Sequence, residues 1–264
     1  MRLRHQSWLI GFTVLLAMYS NATKAALINS GSDFVVDTSL SLTWIRDGNL
    51  AKTLCDAGDP VFTGWSSTVD DTPADICLAN GAMTWADAEA WVARLNSVNY
   101  LGFSDWRQPV AMQPDASCET APAYGFNCTG SELGHLFNVS LANPNHAGTG
   151  ATGGAAGTGC GVGGPVTMAP DQCLQNLAGF QNVWSPFYWT GSTMAGIPAN
   201  AVSFSVARGE QQNGSKLTNR SFVWLVRSGM VSVPTEAVPI APVGFYFSMM
   251  LFLIYFARKK LICS

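Results

Sequence analysis

Cysteine is the residue type whose number and placement commit this chain to a definite chemistry. Seven are present; Cys263 lies beyond a basic cluster at the C-terminus. The other six are Cys55, Cys77, Cys118, Cys128, Cys160 and Cys173. An even set reads as disulfides if the chain is exported, as its N-terminus leads one to expect. Many pairings are open to six cysteines. Sequence proximity favours 55–77, 118–128 and 160–173, each closing a local loop. A zinc site would want tight C-x2–4-C pairs, and the sequence has none.

The other reactive side chains give weaker signals. Of the three histidines, His5 is near the N-terminus and His146 lies in a Gly-rich stretch. His135 stands near Glu132 in a predicted helix, where it is a candidate acid or base, although a structural role is the commoner one for such a residue. The sequence has no G-x-S-x-G, H-E-x-x-H or P-loop pattern. Acids are plentiful, but no spacing singles out a glycosidase-type pair. The reading is therefore a non-enzyme without a cofactor. Asp70, Asp71 and Asp75 form an acidic cluster whose oxygens suit calcium; a solvated charged loop is the plainer reading. Asn127, Asn138 and Asn213 fall in N-x-S/T patterns and are given no role.

Charge narrows the partner. Residues 26–233 carry eight Lys and Arg against sixteen Asp and Glu, a net charge of −8. Such a field does not attract nucleic acid. A local basic patch remains in Arg208, Lys216, Arg220 and Arg227, opposed only by Glu210. These four are the candidate ligand-binding residues for an anionic partner.

The elements that must position these residues follow from periodicity. Residues 34–37 and 42–45 read as two short strands around a Ser/Thr turn. Residues 47–83 read as loop. The clearest helix starts at Thr84, a capping residue with Asp87 at the third helical position. Trp85, Ala88, Trp91, Val92 and Leu95 then recur at helical spacing. A second short helix is predicted over 130–137, with Thr129 and Glu132 as a capping box. The stretch 142–179 is a Gly-rich insertion of low complexity. Strands are predicted at 187–190, 201–207 and 222–226, with Asn213-Gly214 as a hairpin-turn signal. Helices before the main sheet argue an α+β fold.

Both ends carry addresses. Arg2 and Arg4, an apolar run over 8–18 and small residues around Ala25 spell a cleavable signal peptide, residues 1–25. Cleavage after Ala25 is the first choice and after Ala22 the second. Residues 240–257 carry no charge and are followed by Arg258, Lys259 and Lys260. That is a transmembrane or sorting helix near the lower length limit, with a basic cytoplasmic tail, 258–264. The ectodomain spans 26–230, and 231–239 is a linker.

Four ordered segments then combine: FVVDTSLSLTWIRDGNLA at 34–51; TWADAEAW at 84–91 continuing to GFSDWRQP at 102–109; QPDASC at 113–118 with NCTGSELGHLF at 127–137; and YWTGS at 188–192 with SFVWLVR at 221–227. Together they resemble the bacterial DUF1566 family, also called the Lcl C-terminal domain family. The resemblance covers nearly all of 28–229 apart from the insertion. It implies a C-type-lectin-like or formylglycine-generating-enzyme-like domain, with short helices beside a small antiparallel sheet. Trp44, Trp85, Asp105, Trp106, Arg107, Trp189, Trp224 and Arg227 then become fold-motif residues. Gln113-Pro114-Asp115 spells the triplet that galactose-type lectins use with calcium, without the Trp-Asn-Asp partner that would follow. The tail is similar to the PEP-CTERM sorting signal read by an exosortase, but Pro234-Thr235-Glu236 stands where Pro-Glu-Pro is expected; a plain single-pass anchor is the alternative.

The function expected is a membrane-anchored or surface-sorted adhesion module of a bacterial envelope, binding an extracellular glycan. Its signature would be exposed tryptophans. The second reading is a structural envelope or biofilm-matrix protein without a specific ligand, and the third an enzyme.

Overall fold

The structure, a computed structural model, describes residues 27–232 apart from 67–68, 122, 144–173, 175 and 185–186. The expected signal peptide, Cys160 and Cys173, most of the insertion, nearly all of the linker, the 240–257 segment and the basic tail lie outside the described residues. Among the described residues no helix is long and apolar enough to cross a membrane.

The fold mixes short helices with two small antiparallel sheets. The first sheet contains β1 (Leu27–Ser30), β2 (Phe34–Asp37), β3 (Leu42–Ile45) and β8 (Val226–Ser228), in that order. Between β3 and the second sheet come α1 (Leu50–Asp56), α2 (Pro60–Thr63), α3 (Pro73–Leu78) and α4 (Trp85–Ser97). The second sheet is ordered β4 (Gly125–Phe126), β7 (Glu210–Ser215), β6 (Asn200–Ser205), β5 (Phe187–Thr193). A short α5 (Glu132–His135) precedes β5 and runs into a π turn, Leu136–Ser140.

The predicted strands at 34–37 and 42–45 and the helix after Thr84 form where periodicity puts them. In α4 the Asp87 N–H donates to the Thr84 hydroxyl at 3.3 Å, satisfying one orphan donor of the first turn. Ala88, Trp91 and Leu95 face the core, and Trp91 packs edge-on to Phe62 and tilted against Trp65.

Three expectations are corrected. Residues 47–83 are not loop: they hold α1, α2 and α3. Leu50, Ala51 and Leu54 bury one face of α1. The other two helices begin on Asp59-Pro60 and Thr72-Pro73, where the cap side chain accepts an N–H and proline fills the first helical position. The predicted 130–137 helix starts two residues later, because Glu132 does not close a capping box. Its carboxylate is taken by Arg107, and its backbone N–H donates to Val110 O at 3.0 Å. Asn213-Gly214 is not a hairpin turn but part of β7, with Ala201 opposite Gly214. The turn lies at 206–209 instead, where Gly209 takes the left-handed conformation, φ +70°. Gly214 fits for another reason: a Cβ there would sit tightly, 3.1 Å from the Trp189 ring.

The expected last strand at 222–226 serves both sheets. Phe222 N–H donates to Phe187 O and Trp189 N–H to Phe222 O, each at 2.9 Å. Three residues on, Ile45 N–H donates to Leu225 O at 3.0 Å. The segment leaves β5 and reaches β3, so only 226–228 form a regular ladder. One core gathers Trp44, Tyr188, Phe204 and Trp224. A second gathers Trp91, Trp106, Trp189 and Leu225 under the helices, and a smaller third joins Ala111, Met194 and Val202. Two disulfides close, Cys55–Cys77 between α1 and α3, and Cys118–Cys128.

Candidate functional site

Three of the four basic residues singled out by charge are neutralised. Arg220 grips the buried Asp71 with two nitrogens. Arg227 holds Asp105 at 2.8 and 3.0 Å and lies 4.0 Å over the Phe103 ring. Arg208 is 3.5 Å from Glu210. Lys216 differs: it enters no ion pair among the described residues. Its Nζ donates to the Thr193 hydroxyl at 2.7 Å and sits 4.2 Å above the Trp85 ring.

The acidic cluster is likewise divided among internal partners. Asp71 serves Arg220, and Asp75 accepts from the Thr72 hydroxyl and N–H to start α3. That contact, with the Thr72 hydroxyl first, holds the Asp75 carboxyl below its ordinary pKa. Asp70 accepts from the Thr84 hydroxyl at 3.1 Å. In Gln113-Pro114-Asp115 the Gln113–Pro114 bond is cis. Both polar side chains are engaged within the fold: the half-buried Gln113 accepts from Ala195 N–H and donates to Thr193 O at the surface, while the buried Asp115 accepts from Ser117 and Ser131.

His135 meets Ser39 at 3.1 Å, and the Ser39 hydroxyl donates to the buried Asp37. The hydroxyl sits between carboxylate and imidazole, not beyond the imidazole as a hydrolytic triad needs. Asp37 also accepts from the Ser140 hydroxyl, so this cluster ties the β2–β3 turn to the π turn. The Asp105-Trp106-Arg107 segment also spends its side chains on partners within the fold. Arg107 makes two bonds to Glu132 at 2.7 and 2.8 Å, and Trp106 is buried with its indole N–H on Tyr100 O. Trp44, Trp189 and Trp224 are buried.

The remaining polar convergence is at the end of β5. Between the pairs Trp189–Ser203 and Thr193–Ala201, three residues of β5 face the single Val202 of β6. Such bulges re-aim side chains and are common beside binding sites. Here the bulge is pinned by Thr190 donating to Val202 O and by Ser192 exchanging bonds with Ala111. It leaves Gly191 and Thr193 exposed. Trp85, at the start of α4, donates its indole N–H to Thr190 O at 2.9 Å. Glu89 follows four residues later on the same helical face. The Gln108 amide donates to the Glu89 carboxylate. Although its side chain reaches the surface, partial loss of solvent pushes the Glu89 carboxyl above its ordinary pKa, while the Gln108 bond and the Lys216 charge pull the other way. Gln108 is only 3% exposed, and its Oε1 has no partner among the described residues.

One ammonium, one carboxylate, a hydroxyl and an indole thus gather on a surface held by α4, β5 and the end of β7. The periodicity of α4 placed Trp85, and charge counting picked out Lys216. Glu89 and Gln108 were missed. Nothing in their spacing marks them, because they come together only when the 107–113 segment crosses α4. Comparison with known proteins adds no name to this geometry: no protein-family model, no curated protein and no solved structure matches the chain.

Proposed function

We propose that the protein is an exported glycan-binding module, held at the bacterial cell envelope or surface and built on a DUF1566-like, C-type-lectin-like domain. The observation that carries the reading is Lys216, a cation lying on the Trp85 ring with no carboxylate partner among the described residues, beside Glu89 and the bulge of β5. A few convergent polar groups next to an aromatic ring are what a polar ligand needs for orientation. Two disulfides support an oxidising compartment. The signal-like start and the 240–257 segment support export followed by membrane retention through that helix, or release of the tail by an exosortase-type enzyme.

A glycan array probed with the detergent-extracted full-length protein, with and without calcium, tests the binding function. Saccharide binding is expected, and it should not require calcium, because Gln113 already bonds Thr193 and Ala195 and Asp115 is buried against Ser117 and Ser131. Silence toward every glycan would sink the reading. It would favour a structural envelope or matrix role, for which one observation speaks already. Six of the eight described tryptophans are buried, and Lys216 lies over the half-buried Trp85, so open aromatic platforms are scarce.

A further inference from the structure

The residues around Lys216 also decide what kind of glycan fits, given that the glycan-binding reading holds. A sulphated polymer is gripped by several cations free to meet several anions. Of the four in the patch, Arg208, Arg220 and Arg227 each already face a carboxylate, leaving the Lys216 ammonium. That ammonium lies on Trp85, and the exposed Glu89 stands one helical turn further along the same face of α4. The surrounding residues 26–233 carry a net charge of −8. A sulphate brought to Lys216 would meet Glu89 and a repulsive field.

A hydroxyl meets neither obstacle. An ammonium has three N–H donors, and Thr193 uses one. Sugar oxygens can accept the others. The Glu89 carboxylate has acceptor capacity left after the Gln108 bond, so a sugar O–H can donate to it. Hydrogen bonds to charged groups are the stronger kind. Gly191 carries no side chain and is exposed, which keeps the bulge low between Gln108 and Thr193. We infer that the surface formed by Glu89, Gly191, Thr193 and Lys216 binds a neutral, hydroxyl-rich saccharide, with Glu89 accepting and Lys216 donating, and that it discriminates against sulphated ones.

The test is an array of paired neutral and sulphated oligosaccharides, read with the full-length protein in mild detergent at low and raised salt. Lys216→Met, which keeps the stem on Trp85, and Glu89→Gln are run beside it, with a thermal melt of each to show that it is folded. Binding to neutral saccharides that survives raised salt is expected. Each substitution should weaken it about tenfold. Binding confined to sulphated saccharides and lost in salt overturns the inference while leaving the protein a glycan binder. Neutral binding untouched by either folded variant overturns this location. Absence of binding to all saccharides removes the underlying function as well.

Discussion

Arg227 shows how much one side chain carries in this fold. It pairs with Asp105 through two nitrogens and lies on Phe103, which packs edge-on against Phe34 and Trp106. An exposed ion pair contributes up to about 1 kcal/mol and a cation over a ring about as much. Arg227→Met should therefore cost about 1–2 kcal/mol in urea unfolding, and Asp105→Asn less. The hydrogen bond from Arg227 holds the Asp105 carboxyl below its ordinary 3.8. The folded state thus binds that proton more weakly than the unfolded chain. Its stabilisation is full above about pH 3.8 and is lost as pH falls through the lowered value. Glu89 has the opposite sign. Partial desolvation raises its carboxyl above 4.5, so the fold favours the protonated form. Stability from this group falls as pH rises from 4.5 through the raised value, and Glu89→Gln should remove that slope. Carbon-detected NMR titration of the Glu89 carboxyl should give a midpoint above 4.5; a midpoint at or below it contradicts the desolvation argument. The Asp-Trp-Arg string was visible in the sequence. That Arg107 pairs with Glu132 and Arg227 with Asp105 was not, because each pair is joined only by folding.

At the scale of elements, close approach of backbones sets the tightest limits. Gly134 in α5 is pressed against Cys128, and a Cβ there would fall 1.9 Å from the Cys128 carbonyl oxygen. Neither backbone can yield without moving α5 or the disulfide. Gly134→Ala should cost about 3 kcal/mol or prevent folding. Gly214→Ala is a milder case, with the new methyl 3.1 Å from the edge of Trp189, and should cost about 1 kcal/mol. Denaturant melts of the two variants check the ranking; equal stability would contradict it. What could be read from sequence at this scale was local. The α4 helix announces itself by its cap and its apolar stripe. α2 and α3 carried their start signals too, in Asp59-Pro60 and Thr72-Pro73, but are only four and six residues long, too short for periodicity to show. The Asn213-Gly214 pair misled because its turn preference yields to the ladder with β6 and to the Trp189 ring packed against it.

The whole molecule is organised by contacts between distant parts of the chain. Residues 221–228 join the second sheet to the first, and β8 pairs with β3 across most of the sequence. No local pattern specifies such pairings; hydrophobic alternation gives the faces of a strand but not its neighbour. That is why α+β was legible and the strand order was not. The disulfides act at the same scale. Cys55 and Cys77 are 22 residues apart, and a loop of that size stabilises by about 3 kcal/mol through the unfolded chain. The double variant Cys55→Ala/Cys77→Ala should lose about that much in denaturant melts, whereas reducing agent should leave it unchanged at this bond. Mass spectrometry of the mature protein separates the two fates of the tail: an end near Pro234 marks sorting, and retention of Lys260 marks an anchor.

The glycan-binding account stands most directly on Trp85, the ring beneath Lys216. In nitrogen-15 NMR its indole N–H, assigned with Trp85→Phe, should shift when a neutral oligosaccharide selected on the array is added, while the signals of the buried Trp189 and Trp224 stay in place. A Trp85 signal that does not move as the saccharide saturates the protein would contradict the account.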